Sequence, residues 1–234
     1  MAASVADTGR PGVAGVDELD DDADLAGQSG DGADDGLPWL IRDGRNLAWA
    51  LLVFGGVGLL ASFFLTIEYL HRLREPTAAL VCDINVFMTC GPAMSSWAGS
   101  ILGFPNIIIG LVAFGVTVTI AMGLFARARF ARWFWVGFQV GLIGGAVLIT
   151  FLQWYSGYEL ARLCLWCMII WAATIPLVAL TTIFNLAQGN LGPGAVRAGR
   201  ALAPWAVTVV IIWYLAVAGF VVAGMWNVIA LSLI

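Results

Sequence analysis

Five stretches of the chain, residues 47–70, 104–126, 133–155, 164–186 and 204–234, are apolar over lengths that match the crossing of a bilayer as a helix. In hydrocarbon each segment must satisfy its own backbone, so the pattern predicts an all-α integral membrane protein with five transmembrane helices. The third stretch has Trp133 and Trp135 at one end and Trp154 and Tyr155 at the other, where amphipathic rings settle at the two lipid interfaces. Its Gly137, Gly141 and Gly145 recur every four residues and predict a close-packing stripe. The short arginine-bearing turn before it predicts that the second and third helices are antiparallel neighbours. Pro176 falls inside the fourth stretch and is expected to kink it, with neighbouring helices absorbing the change. The last run is longer than one crossing needs and is expected to tilt or protrude.

Between the first two stretches lies a loop of about thirty residues, long enough to hold structure of its own. Within it, Pro92 suits the first turn of a helix, and Met94, Trp97, Ile101 and Leu102 recur at near-helical spacing. Residues 92–102 are therefore predicted to form a short interfacial helix lying over the mouth of the bundle. Residues 189–194 are glycine-rich but match no phosphate-binding spacing and read as a loop.

Composition supports the membrane assignment, with 61% hydrophobic residues. The net charge of −4 misleads, because ten of the fifteen acids lie in residues 1–36, which read as a disordered acidic tail. Beyond that tail ten arginines face five acids, and lysine is absent. With the N-terminus inside, the inner flanks hold seven arginines (Arg42, Arg45, Arg127, Arg129, Arg132, Arg197, Arg200) and the outer loops three (Arg72, Arg74, Arg162). The expected orientation thus has a cytoplasmic N-terminus and an external C-terminus. His71, the sole histidine, reads with Arg72 and Arg74 as an outer cap on the first helix. One histidine and no lysine exclude His-based triads, Schiff-base chemistry and most zinc arrangements.

The four cysteines form two close pairs, Cys82/Cys90 in the long loop and Cys164-x-x-Cys167 at the start of the fourth span. The expected topology puts both pairs on the outer face. One turn of helix separates Cys164 from Cys167, so both can face one side and close a disulfide or act in sequence. A helix N-terminus and Arg162 favour a thiolate at Cys164, while Cys167 lies a turn deeper, toward lipid. The predicted lid helix would hold Cys90 near the membrane surface and leave Cys82 on the mobile, solvent side. Cysteines that merely pack as small hydrophobes, and a static Cys82–Cys90 disulfide, are the plainer readings.

Cys82-Asp83 followed by Cys90, Ser95-Ser96 after it, Asn106 and Gly110 opening the second span, and Cys164-x-x-Cys167 opening the fourth form a combination. Over about residues 47–186 it resembles the vitamin K epoxide reductase family in its bacterial branch. The resemblance implies a four-helix bundle around a quinone of menaquinone, ubiquinone or vitamin K type. It implies electrons passing from a thioredoxin-fold, DsbA-like partner to the loop pair, then to the Cys-x-x-Cys, then to the quinone. Bacterial members of that family thereby support disulfide formation in secreted proteins from the cytoplasmic (inner) membrane.

Carried onto this chain, the resemblance assigns Cys82 to the mixed disulfide with the partner, Cys90 to exchange with Cys164, and Cys167 to the quinone ring. Asn106 would hydrogen-bond a quinone carbonyl, or otherwise bridge helices, and Ser96 would support the loop. Trp171 stands where vertebrate enzymes have a quinone-facing tyrosine, so a second hydrogen bond would come from its indole N–H or be absent. Many bacterial relatives continue from a fifth helix into a fused thioredoxin-like domain; here the partner is expected to be a separate protein. The expected organisation is a tail over 1–36, a catalytic four-helix bundle over 37–186, and a loop with the fifth helix over 187–234.

A DsbB-like oxidase would use the same logic, but here the loop pair precedes the helical pair. From another class, the four thiols with Met88, Met94 and Met168 could bind a soft metal such as Cu(I) or Zn. That reading lacks intramembrane carboxylates or histidines to line an ion path. Neither chemistry calls for nucleic acid.

Overall fold

All five apolar stretches form helices long enough to cross a membrane in the computed structural model of the chain, which describes residues 44–75, 80–83 and 88–232, with side chains as far as residue 226. The expected acidic tail lies outside these residues. The helices, in chain order, are α1 (Gly44–Arg74), α2 (Gly91–Ser95), α3 (Asn106–Phe125), α4 (Arg132–Trp154), α5 (Leu165–Ala187), α6 (Val196–Leu202) and α7 (Ala206–Ser232). α1, α3, α4, α5 and α7 are the spans, and the chain is a multi-pass membrane protein. Among the described residues there is no β-strand, only an isolated parallel bridge between Met88 and Leu163.

α5 is the helix the others surround. About two thirds of its most apolar window is buried (67%), against 6% for the span containing α7, so its near-continuous apolar sequence meets protein on most sides. α1 packs against both α3 and α5, while α4 and α7 pack on α5 from other directions. Gly58 permits the α1–α3 approach, since a Cβ there would run into the ring of Phe114. Gly110 does the same nearer the lid, where a Cβ would come within 2.9 Å of Ser62 Oγ.

Two expectations change, and a π-helical turn is added. α3 and α4 are joined by a short turn but make hardly any direct contact. The space between them is a cavity, and Gly137, Gly141 and Gly145 line it with nothing within 4 Å of where a Cβ would stand. The small-residue stripe therefore makes room and does not pack helices together.

The lid, in turn, is two short pieces, α2 and a 3₁₀ turn over Trp97–Ser100, parted at Ser96, whose backbone is extended (ψ 155°). Ser96 Oγ donates to the Ala93 carbonyl (2.8 Å) and accepts the Gly99 N–H (3.3 Å), so the break is itself hydrogen-bonded. Finally, α4 runs on into a π-helical turn, Tyr155–Glu159, before the chain reverses through Ala161 (φ 49°).

Pro176 lies inside α5 as expected, and a proline cannot donate to the carbonyl four residues back, here Ala172. That carbonyl accepts a hydrogen bond from Tyr214 of α7 instead.

Candidate functional site

The loop and the start of α5 meet through backbone pairing. Thr89 N–H donates to the Leu163 carbonyl (3.0 Å) beside the Met88–Leu163 bridge. This fixes Cys90, one residue on, opposite Cys164, one residue on. Their sulfurs lie 2.9 Å apart, and Cys90 is joined to Cys82 by a disulfide, while Cys164 and Cys167 are thiols. All four predicted cysteines thus gather at one end of the bundle, in a cluster with Leu65 and Leu80.

Cys82 does not sit on the solvent side as expected. Cys82 and Cys90 are 0% exposed and Cys164 1%, because Leu65, Leu80, Ala93 and Met94 pack around the sulfurs, while Val81 stays outside.

Two carboxylates hold the loop. Asp83 accepts hydrogen bonds from Thr89 Oγ1 (2.6 Å), the Cys90 N–H (3.2 Å) and the Leu80 N–H (3.3 Å). Burial pushes its carboxyl up, but those hydrogen bonds and the Arg72 charge outweigh it and leave the group below the ordinary carboxylate value. Glu68, buried near the end of α1, accepts the Val81 N–H on both oxygens (3.3 Å each). Its part was missed in the sequence; the available signal was a lone acid inside an otherwise apolar span.

Cys164 is the N-cap of α5, with extended backbone (φ −98°, ψ 123°), and its sulfur accepts the Cys167 N–H (3.4 Å). A side-chain hydrogen bond from Cys167, joined by the N–H groups of Cys167 and Trp166, holds its thiol below the usual range, against burial and the negative charge of Asp83. A buried sulfur that is easier to ionise and touches a disulfide is set up for thiol–disulfide exchange.

Behind the sulfurs a cavity of about 530 Å³ runs from Cys164, Cys167 and Trp171 down between α3 and α4 as far as Trp133 and Phe134. Its walls are mostly apolar, with a few polar atoms near the lid. Asn106 is one of them. Its Nδ2 donates to the Ala98 carbonyl (2.7 Å), which sets the amide's orientation, and its buried Oδ1 has no partner. Ser62 Oγ, also on the wall, is buried without a partner. Trp171 is buried against Ile149 and Ile175. Ser96 lines the cavity mouth through the lid break described above. Trp97, exposed on the lid, stands edge-on to Phe151 and Tyr155 at ring separations of 5.9 and 5.6 Å.

The soft-metal reading fares poorly in this geometry. Two of the four sulfurs are bonded to each other, and among the described residues no three His, Cys, Asp or Glu side chains come together to hold an ion.

No individually curated protein matches the chain significantly. Residues 49–182, more than half of the sequence, match the Vitamin K epoxide reductase family. The stretch runs from early in α1 to near the end of α5 and takes in the four cysteines and the cavity between α3 and α4. The chain therefore belongs to the vitamin K epoxide reductase family, the quinone-linked disulfide oxidoreductases of membranes.

Proposed function

We propose that this protein reoxidises a separate thioredoxin-fold, DsbA-like protein outside the cytoplasmic membrane, passing the electrons from Cys82/Cys90 to Cys164/Cys167 and on to a membrane quinone. The observation that carries this reading is the 2.9 Å approach of the Cys90 and Cys164 sulfurs, with Cys167 on the wall of the cavity behind them.

In this reading a thiolate of the partner attacks Cys82 Sγ, the Cys82–Cys90 bond breaks and Cys90 leaves as a thiolate. The partner's second thiol displaces Cys82, so the partner departs as a disulfide. Cys90 then attacks Cys164 in a Cys164–Cys167 disulfide and releases Cys167. Attack of Cys82 on Cys90 restores the loop disulfide and releases Cys164 as a thiolate, which its hydrogen bonds favour. The outcome is a joined loop pair with two thiols at Cys164 and Cys167, the sulfur arrangement found here. The burial of Cys82 implies that the loop over it must open for the first step.

A bound quinone supplies the two-electron acceptor. The residues present fit one: an apolar cavity, the orphaned Oδ1 of Asn106 and the sulfur of Cys167 on one wall. One N–H of Asn106 is committed to Ala98, which leaves its second N–H to donate to a quinone carbonyl and its orphaned Oδ1 to accept from the hydroxyl of the reduced ring. Trp171 forms a packing wall, and Ser96 holds the lid break. The length of the cavity and the open glycine stripe favour a quinone with a prenyl tail. We assign catalysis to residues 37–186, and take the tail as cytoplasmic from the arginine distribution.

The test is purified protein supplied with a reduced DsbA-like protein and a quinone, following quinone reduction. Wild type should turn over, Cys167→Ala should fall by at least about 10³-fold, as loss of an essential nucleophile does, and Cys164→Ala should accept one electron pair at the loop and stop. Steady turnover by Cys167→Ala would overturn the assignment.

A further inference from the structure

The fifth span lies outside the family match, yet one of its side chains reaches into the backbone of the central helix. Pro176 leaves the Ala172 carbonyl without its helical donor. Ala172 is exposed on the surface of α5, where lipid offers no replacement donor. The Tyr214 hydroxyl of α7 donates to that carbonyl.

The bond lies within a larger contact. Val210, Trp213 and Val217 of α7 pack with Tyr214 in the cluster that holds Trp171 and Cys167. Ala172 is the immediate neighbour of Trp171, and both Trp171 and Cys167 line the cavity. The α7 face therefore bears on the back of the α5 segment whose front forms the cavity wall.

We propose that Tyr214 is a positioning residue, whose phenol replaces the hydrogen bond that Pro176 denies to Ala172 and so sets where α5 holds Cys167 and Trp171 against the cavity. The fifth helix then belongs to the working unit and is more than an added membrane crossing. The inference rests on the proposed function for its kinetic readout only.

It is tested by a double-mutant cycle of Tyr214→Phe and Pro176→Ala in the full-length protein. The Pro176→Ala change restores an N–H to the helix, so it makes the phenol dispensable. Dithiothreitol serves as electron donor and decylubiquinone as acceptor, and thermal unfolding in detergent is followed in parallel. Tyr214→Phe alone should raise the quinone KM about 5- to 10-fold, a loss comparable to one hydrogen bond's effect on positioning. The single-turnover reduction of the Cys82–Cys90 disulfide should stay unchanged. The same substitution should lower the Tm by about 2–4 °C. In the Pro176→Ala background both effects should disappear.

Equal losses in the two backgrounds would show that Tyr214 only packs, and overturn the proposal. A Tm coupling with an unmoved quinone KM would overturn the positioning role. Wild-type protein that oxidises dithiothreitol at the loop but reduces no quinone would sink the functional reading instead, and the unfolding cycle would still decide the Tyr214–Pro176 coupling.

Discussion

Asp83 gathers the Thr89 hydroxyl and the N–H groups of Leu80 and Cys90 around one carboxylate, and so ties together the two ends of the loop that carries Cys82 and Cys90. Its negative charge also opposes ionisation of Cys164. Asp83→Asn should thus do two things at once. Loosening the loop should slow exchange between the cysteine pairs about 10-fold, the equivalent of about 1.4 kcal/mol. Removing the charge should move the pH profile of the reverse exchange, in which the Cys164 thiolate attacks the loop disulfide, to lower pH, since that thiolate no longer faces a carboxylate. Single-turnover exchange followed from pH 5 to 9 measures both, and an unmoved profile would contradict the electrostatic part. For stability the sign follows from the lowered carboxyl. The Asp83 contribution is complete above the unfolded value of about 3.9 and is lost as the pH falls through the lower folded value.

The glycines of α1 and α4 show how one residue type does opposite work on different elements. Gly58 is closed by Phe114, whereas Gly141 faces open space on the cavity wall. Gly58→Ala should destabilise the protein by about 1–3 kcal/mol through overpacking. Gly141→Leu should leave stability unchanged or raise it by up to about 1 kcal/mol, because leucine is the better helix former. The same change should raise the KM for a long-tailed quinone several-fold, about 5-fold, while hardly affecting a tail-less analogue, as one blocked apolar subsite implies. Equal effects on both quinones would argue against a tail between α3 and α4.

At the scale of the molecule, the arginine asymmetry predicts one orientation in the bilayer. Replacing the native cysteines by serine and adding single cysteines at Glu75 and Ala128 makes it measurable. In right-side-out vesicles an impermeant maleimide should label position 75 and spare position 128. The reverse pattern would put the sulfur cluster on the cytoplasmic side and remove the proposed secretory partner.

The five spans, the two cysteine pairs and the family they resemble were legible in the sequence, because bilayer thickness demands long apolar runs and thiol chemistry demands particular residues. Residue spacing could not tell a packing stripe from a cavity wall in α4, since both require small residues every four positions. Nor could it show that Cys82 is covered, that Asn106 spends an N–H on Ala98, or that Pro176 in α5 is completed by Tyr214 from another helix. Each of these joins positions that are separated along the chain and face each other only after the spans have packed. The sulfur contact is of the same kind: a backbone pairing at Thr89 and Leu163 sets Cys90 against Cys164 across 74 residues of sequence.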